Sequence, residues 1–433
     1  MNKSLLKELP GLVKAGIISE ETEHRIFEYF QEKHAAAPNP FTVILGILGV
    51  LLAGSGILLI VAHNWDDLTI TVKTILSFIP LILAQAACTY TLLYQKDDKL
   101  WKECSSLFLF FAIGASIALI SQVYQVNGTL GDFLLTWVLL ALPLVYVLSA
   151  STVALFCIAG ITWYAADTGY ASRYSPVPFI YLVTIALLAP HYYKLYKTTP
   201  DGNFYHLLNW FLGISVTVTL GCFVKESNLF EWLFLLYCVL FCIYYYIGRS
   251  SFFQEKTSFR NPFLLIGVAG ILITLLTWSF DFVWKEYKMP DRNQVFGNPL
   301  FYLIAAGVVT VIIMAVKDHS RRKETVPDPM GYSCFVLLVP LVFMKDIPSV
   351  AVFIVNAWTL FVAIFFIRKG SAQNHLGIVN FGLTIIAALA LCRFFDDRIP
   401  FIWRGIFFLA TGISFFAANY LLLRRRKQLI KSV

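Results

Sequence analysis

The chain is a succession of apolar blocks, each roughly 17–25 residues long, separated by short polar turns. A helix of that length crosses a bilayer core of about 30 Å, and a soluble core has no use for so many such blocks. Fourteen candidate spans result: 41–62, 70–94, 105–124, 130–149, 150–167, 177–194, 205–224, 229–248, 262–284, 299–317, 331–345, 347–367, 375–394 and 399–423. The fifth and eleventh are short. The expected fold class is all-α, a polytopic transmembrane helical bundle. Composition points the same way. Only 14% of the residues are charged and 58% are hydrophobic, against about 25% charged in soluble domains. So few charges cannot coat a water-soluble protein of 433 residues. The mean hydropathy of +0.71 agrees. Aromatic residues stand at block ends, as in Tyr244-Tyr245-Tyr246, where amphipathic rings suit the headgroup layer.

Charge placement orients the helices. With the N-terminus inside and fourteen spans, and with Lys194, Lys317, Lys345 and Arg393 at span ends counted with the side they adjoin, the inner side holds 24 Lys/Arg and the outer side 8. Dropping the two short spans weakens that bias. Dropping one alone would place Arg424-Arg425-Arg426-Lys427 outside, against the positive-inside rule. The reading is a bacterial inner (cytoplasmic) membrane protein with both termini cytoplasmic. The net charge of +8 is accounted for by these inner loops. No basic stripe with interleaved aromatics lies outside the apolar blocks, so no nucleic-acid partner is expected. The eight cysteines lie within or at the edges of apolar blocks and form no C-x-x-C pair. They read as small buried hydrophobes, with no disulfide framework and no metal site.

Three segments divide the chain: an N-terminal cytoplasmic helical hairpin over 1–40, the membrane bundle over 41–423, and a basic cytoplasmic tail over 424–433. In the hairpin, Leu5, Leu6, Leu9, Leu12 and Val13 give a short amphipathic helix that Gly16 ends. Ser19 then caps a second helix with Glu20 and Glu21 in its first turn. Pro38-Asn39-Pro40 is a linker. The polar first forty residues argue against a cleaved signal, and the block from Phe41 to Ala62 is expected to act as an uncleaved anchor. Gly46, Gly49, Gly54 and Gly56 in that block permit close helix approach. The loops between spans are too short for a soluble catalytic domain. Residues 1–35 are a possible docking element for a cytoplasmic protein partner.

Ionisable groups in spans are costly, so they are functional candidates by default. Here they gather on the outer side. His63, Asp66 and Asp67 end the first span, and Lys73 follows a turn into the second. Gln122, Tyr124, Gln125 and Asn127 link spans three and four, with Asp132 just beyond. Asp281 ends span nine. Arg393, Asp396, Asp397 and Arg398 lie before the last span, and Arg404 lies a turn into it. Such a set can line a polar chamber for a small polar or ionic ligand. Each also has a local explanation. Thr129-x-x-Asp132 and Asn228-x-x-Glu231 have capping-box spacing. Asp66 and Asp67 stand where a cap for the second span belongs. Lys73 and Arg404 can snorkel to the interface. Trp65-Asp66-Asp67 with Lys73 is echoed by Phe395-Asp396-Asp397 with Arg404, which suggests a parallel repeat.

No zinc-protease, nucleotide-binding, serine-hydrolase or dinucleotide motif is present, and no cofactor is called for. His191 is a lone His near a span end and reads as packing. The order of features resembles a known family. A Gly-Ile-Ile-Ser-Glu-Glu turn (16–21) precedes a Gly-rich first span ending His63-Asn64-Trp65-Asp66. Ile120-Ser121-Gln122-Val123-Tyr124-Gln125 and Gly131-Asp132-Phe133 follow. Over about residues 1–140 this resembles the bacterial predicted membrane proteins called domain of unknown function 2157. The resemblance implies an integral membrane protein and supplies no activity and no site. Three functions therefore compete. A transporter or channel-like protein with an outward-open chamber is first. The others are a membrane-embedded enzyme on an envelope lipid or glycan precursor, and a non-catalytic scaffold or sensor.

Overall fold

The computed structural model describes residues 9–13, 15–26, 65, 67–171, 176–224, 229–253, 258–286, 298–322, 327–343, 347–395 and, from 400 to 416, all but 403, 407, 411, 414 and 415. Among these residues the structure is helical throughout, with no strand. Residues 1–76 and 77–433 form two compact units.

In the first unit the local signals work as their chemistry requires. Gly16 takes φ +68°, and its N–H and that of Ile17 close the preceding turn onto Val13 and Leu12 at 2.9 and 3.0 Å. The positive φ is open to glycine without strain. Ser19 Oγ accepts the Thr22 amide at 3.2 Å, and Ser19 is the cap of the helical stretch 20–26. The glycines of the first predicted span lie outside the described residues. Helix α1 (Ile70–Tyr94) begins in this unit and continues into the second.

The second unit continues with α2 (Lys99–Val123), α3 (Leu130–Val147), α4 (Ser151–Tyr170), α5 (Phe179–Thr198), α6 (Asn203–Thr219) and α7 (Leu229–Gly248). Next come α8 (Pro262–Thr277), the short α9 (Asp281–Glu286), α10 (Pro299–Arg322), α11 (Ser333–Phe343), α12 (Pro348–Ala372) and α13 (Leu376–Phe394). Polar residues fix the starts. Asp98 accepts the Leu100 and Trp101 amides at α2. Asn261 accepts the Leu264 amide at α8, with Pro262 in the first turn. Pro80, Pro143, Pro190 and Pro340 sit inside helices, which the packed interior of a membrane bundle tolerates.

Seven helices among the described residues are long and apolar enough to cross a membrane. They include α1 and α12 at 25 residues each, about 37 Å of helix. Residues 232–248, 262–277 and 329–340 form shorter apolar helices. Helix α4, expected to be short, has 20 residues. Helix α11 has only 11, about 17 Å, and is extended at its start by a 3₁₀ turn over Pro329–Tyr332. Large apolar side chains stand outward in rows: Ile82 on α1, Val183 on α5 and Val316 on α10 are 61%, 57% and 62% exposed. In water such faces would aggregate, and in a bilayer they are the lipid surface. The chain is an integral membrane protein.

Two cores hold the second unit. One joins α3 and α4 through Val138, Ala141, Val145, Ala154, Ile158 and Ile161. The other joins α7, α8, α10 and α12 through Cys242, Leu275, Trp278, Val311, Val355 and Val362. Small residues let helices close up. A Cβ on Gly267 of α8 would stand 2.6 Å from the Tyr245 backbone nitrogen on α7.

Candidate functional site

The outward polar residues singled out by the sequence do not share one environment. His63, Asp66 and Asp396 lie outside the described residues, as do Asp397 and Arg398; Glu231 lies in the first turn of α7. In the first unit Asp67 is exposed and Lys73 is half-buried. Thr69, rather than Asp67, does the local capping: its Oγ1 accepts the Val72 amide at 3.4 Å and its carbonyl accepts the Lys73 amide at 3.0 Å. In the second unit Gln122, Tyr124, Gln125, Asn127 and Asp132 are all exposed at the α2–α3 link. Gln125 turns the chain at φ +48°. Asp132 Oδ2 accepts the Thr129 amide at 3.0 Å and the Thr129 hydroxyl at 2.8 Å, the capping box of α3. Arg404 donates from Nη1 to the Phe394 carbonyl at 3.2 Å. Arg393 packs over the Phe280 ring at 4.8 Å and donates to Ser279 O and Oγ, both at 2.9 Å. Asn356 joins the same carbonyl at 3.1 Å. Asp281 is buried nearby in sequence and pairs with Lys285 at 3.3 Å.

A cavity of about 510 Å³ lies between α1, α2 and α3, walled mainly by Phe78, Leu81, Ile113 and Leu140, with Gln85, Ser116 and Ser121 as its polar groups. None of the sequence candidates lines it. Ser116 Oγ is engaged with the Ser77 carbonyl at 2.8 Å, so Gln85 and Ser121 supply its remaining side-chain polarity.

The polar interior lies elsewhere, where α5 and α6 meet α4. The buried face of α5 carries Tyr181, Thr184, Leu188, His191 and Leu195, and Tyr192 stands beside it. Tyr181 and Tyr192 are eleven positions apart, close to three helical turns, so they mark two levels of one interface about 16 Å apart. At the first level Thr162 on α4 donates to the Ile158 carbonyl at 2.6 Å. A hydroxyl has one proton. Ser215, 2.6 Å from Thr162, therefore donates to it, and Tyr181, 2.8 Å from Ser215, donates to Ser215. That chain is closed.

The second level is not closed. Asn209 on α6 is fully buried. Its Oδ1 accepts from the Tyr192 hydroxyl at 2.7 Å, and Tyr205 lies 3.0 Å from Tyr192 and donates to it. The Asn209 Nδ2 has no acceptor. Exchanging the amide oxygen and nitrogen would not help, because Tyr192 would then meet Nδ2 and leave Oδ1 alone. One half of a buried amide inside a membrane helix is open to a partner. Such groups are rare and carry a cost of about 1–3 kcal/mol when left unmade. The α6 sequence Leu207-Leu208-Asn209-Trp210-Phe211 offered the signal, an amide in the middle of an apolar block.

A serine–histidine pair also exists: Ser151 Oγ lies 3.3 Å from His191 Nε2. Both residues are buried. The amides that an acyl-transfer site would aim at an oxyanion, those of Ser151 and Thr152, are taken by Glu103 at 3.0 and 2.8 Å. Those two amides are therefore not available to a bound oxyanion. Among the described residues no group of three His, Cys, Asp or Glu gathers as metal ligands would.

A charged corner joins the ends of α7, α10 and α12. Arg249 Nε meets Asp318 Oδ2 and Arg249 Nη1 meets Asp328 Oδ2, both at 2.8 Å. In the sequence these residues count only as loop charge. No curated protein and no solved structure matches the chain. Residues 10–154, about a third of the chain and including α1 to α3, match the family described as predicted membrane protein (DUF2157).

Proposed function

We propose that this membrane protein is transporter- or channel-like and admits a small polar or ionic solute to its interior at the α4–α6 interface. The observation that supports it is the Asn209 amide, buried in a membrane helix with one half open to a partner. Tyr192 and Tyr205 surround it with hydroxyls, and the Tyr181–Ser215–Thr162 chain continues the polar lining at a second level. A polar group held open inside a bundle marks a solute or proton path more often than an anchor. The outer loop residues Gln122, Tyr124, Asn127 and Asp132 then form an entrance rather than the binding site, and the outward opening remains part of the proposal.

The test is flux in proteoliposomes, using protons, potassium and glycerol as probes. The wild type is expected to pass at least one of them above protein-free vesicles, and Asn209→Leu is expected to abolish that flux. Leucine has similar volume and removes the open amide, so the fold is expected to hold. Equal flux in wild type, variant and empty vesicles for all three probes overturns the reading.

A further inference from the structure

We propose that the solute admitted at the α4–α6 interface is a small neutral polyol, a compound of the class of glycerol. This rests on the transporter-like reading above and narrows it. The direction of each hydrogen bond leads there. The Tyr192 hydroxyl gives its one proton to Asn209 Oδ1 at 2.7 Å, so Tyr205, 3.0 Å away, gives its own to Tyr192. The chain therefore has two unlike ends. At one end Asn209 Nδ2 holds two N–H donors with no acceptor. At the other the Tyr205 oxygen has given its proton away and keeps its lone pairs as acceptors. Asn209 is 0% and Tyr205 3% exposed, so bulk water reaches neither end. Both ends adjoin one hydroxyl, that of Tyr192, and so lie within reach of a single small molecule.

No simple ion satisfies both ends. A cation takes the Tyr205 lone pairs and is repelled by the amide N–H groups, and an anion meets the reverse. A hydroxyl compound accepts from Asn209 Nδ2 and donates to Tyr205. The side chains that make the two levels add no counter-charge, since Thr162, Tyr181, Tyr192, Tyr205, Asn209 and Ser215 are hydroxyls and an amide. Charged groups at the neighbouring helix ends face other partners. Glu103 bonds the Ser151 and Thr152 amides, Lys194 donates to Ser149 at 3.3 Å, and Lys197 stands over the Tyr193 and Tyr196 rings. His206, one turn before Asn209, packs against the Tyr205 ring with centroids 6.0 Å apart. An ion entering here gives up its hydration with no counter-charge to replace it. A polyol exchanges bonds to water for bonds to matching donors and acceptors, which is how a polar lining selects a neutral solute. Its carbon chain meets apolar walls, because the Tyr205 ring lies 5.2 Å from that of Tyr192 and 5.7 Å from that of Phe252.

The full-length protein in liposomes is to be given three separate gradients, with glycerol entry read by light scattering, potassium by a fluorescent indicator and protons by a pH dye. Glycerol is expected to enter faster than in protein-free vesicles, and potassium and protons only at the protein-free rate. Asn209→Leu is expected to return glycerol to the protein-free rate. Tyr205→Phe leaves the Tyr192–Asn209 bond in place and removes only the acceptor end. It is expected to lower glycerol entry on the order of fivefold, the worth of one hydrogen bond, and it carries the test if Asn209→Leu does not fold. Potassium or proton entry above the protein-free rate, with or without glycerol, overturns the polyol and leaves the transporter-like reading standing. Entry of none of the three overturns both. Glycerol entry that Tyr205→Phe does not lower overturns the polyol site.

Discussion

Glu103 and Thr152 lie on different helices and share one cap. Glu103, in the first turns of α2, places Oε2 at 2.8 Å from the Thr152 amide and 2.6 Å from its hydroxyl, while Oε1 accepts the Ser151 amide at 3.0 Å. Helix α4 has Ala150 at its N-cap and no side-chain cap of its own. Its first amides are therefore satisfied by a carboxylate from the neighbouring helix, and the negative charge stands at the positive end of the α4 dipole. A tight turn between α3 and α4, with Ser149 at φ +53°, leaves no room for a local cap.

Replacing Glu103 with alanine orphans two buried amides and a hydroxyl. The expected loss is about 2 kcal/mol, from the usual worth of a cap and of charge-assisted hydrogen bonds. Glutamine keeps one acceptor oxygen and presents an NH₂ to the other donor, so Glu103→Gln is expected to fall between the two. Thermal unfolding of the purified protein checks the order. A glutamine variant less stable than the alanine variant would contradict the capping role.

What the sequence allowed and withheld follows from contact range. Gly16, Ser19 and the Thr129–Asp132 box were legible because each acts within four residues of itself. The spans were legible because length and apolarity are read directly. Glu103 and Thr152 are 49 positions apart, and Arg249 lies 69 and 79 positions from Asp318 and Asp328. No local pattern links such residues, so the charged corner registered only as loop charge. The outer residues drew attention because they were polar near span ends. That criterion cannot separate an exposed link, such as Gln122–Asn127, from a buried amide such as Asn209.

Arg249 is the hinge of the charged corner, and its removal tests that description. Arg249→Ala takes from Asp328 a guanidinium at 2.8 Å, with Lys369 farther off at 3.8 Å, and takes from Asp318 its most buried partner. Breaking a buried pair by deleting one member costs about 3–5 kcal/mol. Arg249→Lys is expected to recover only part of this, because one ammonium cannot reach both carboxylates as Nε and Nη1 do. Denaturant or thermal unfolding in detergent measures both. Full stability in Arg249→Ala would show that the two aspartates are adequately held without it.

Glycine at helix contacts should differ in sign from glycine at open positions. A Cβ on Gly382 of α13 would lie 2.6 Å from the Ala363 carbonyl oxygen and 3.0 Å from the Ile367 backbone nitrogen, both on α12. Backbone atoms cannot rotate away, so Gly382→Ala must push the two helices apart. The expected cost is about 1–3 kcal/mol, as for other overpacked contacts. A Cβ on Gly405 would meet nothing within 4 Å, and Gly405 lies in a helical stretch, 404–406. There alanine restricts the unfolded chain and meets no neighbour, so Gly405→Ala is expected to be neutral or stabilising by up to about 1 kcal/mol. Parallel unfolding curves of the two variants decide it. Equal effects of the same sign would mean that α12 and α13 do not approach as closely as Gly382 requires.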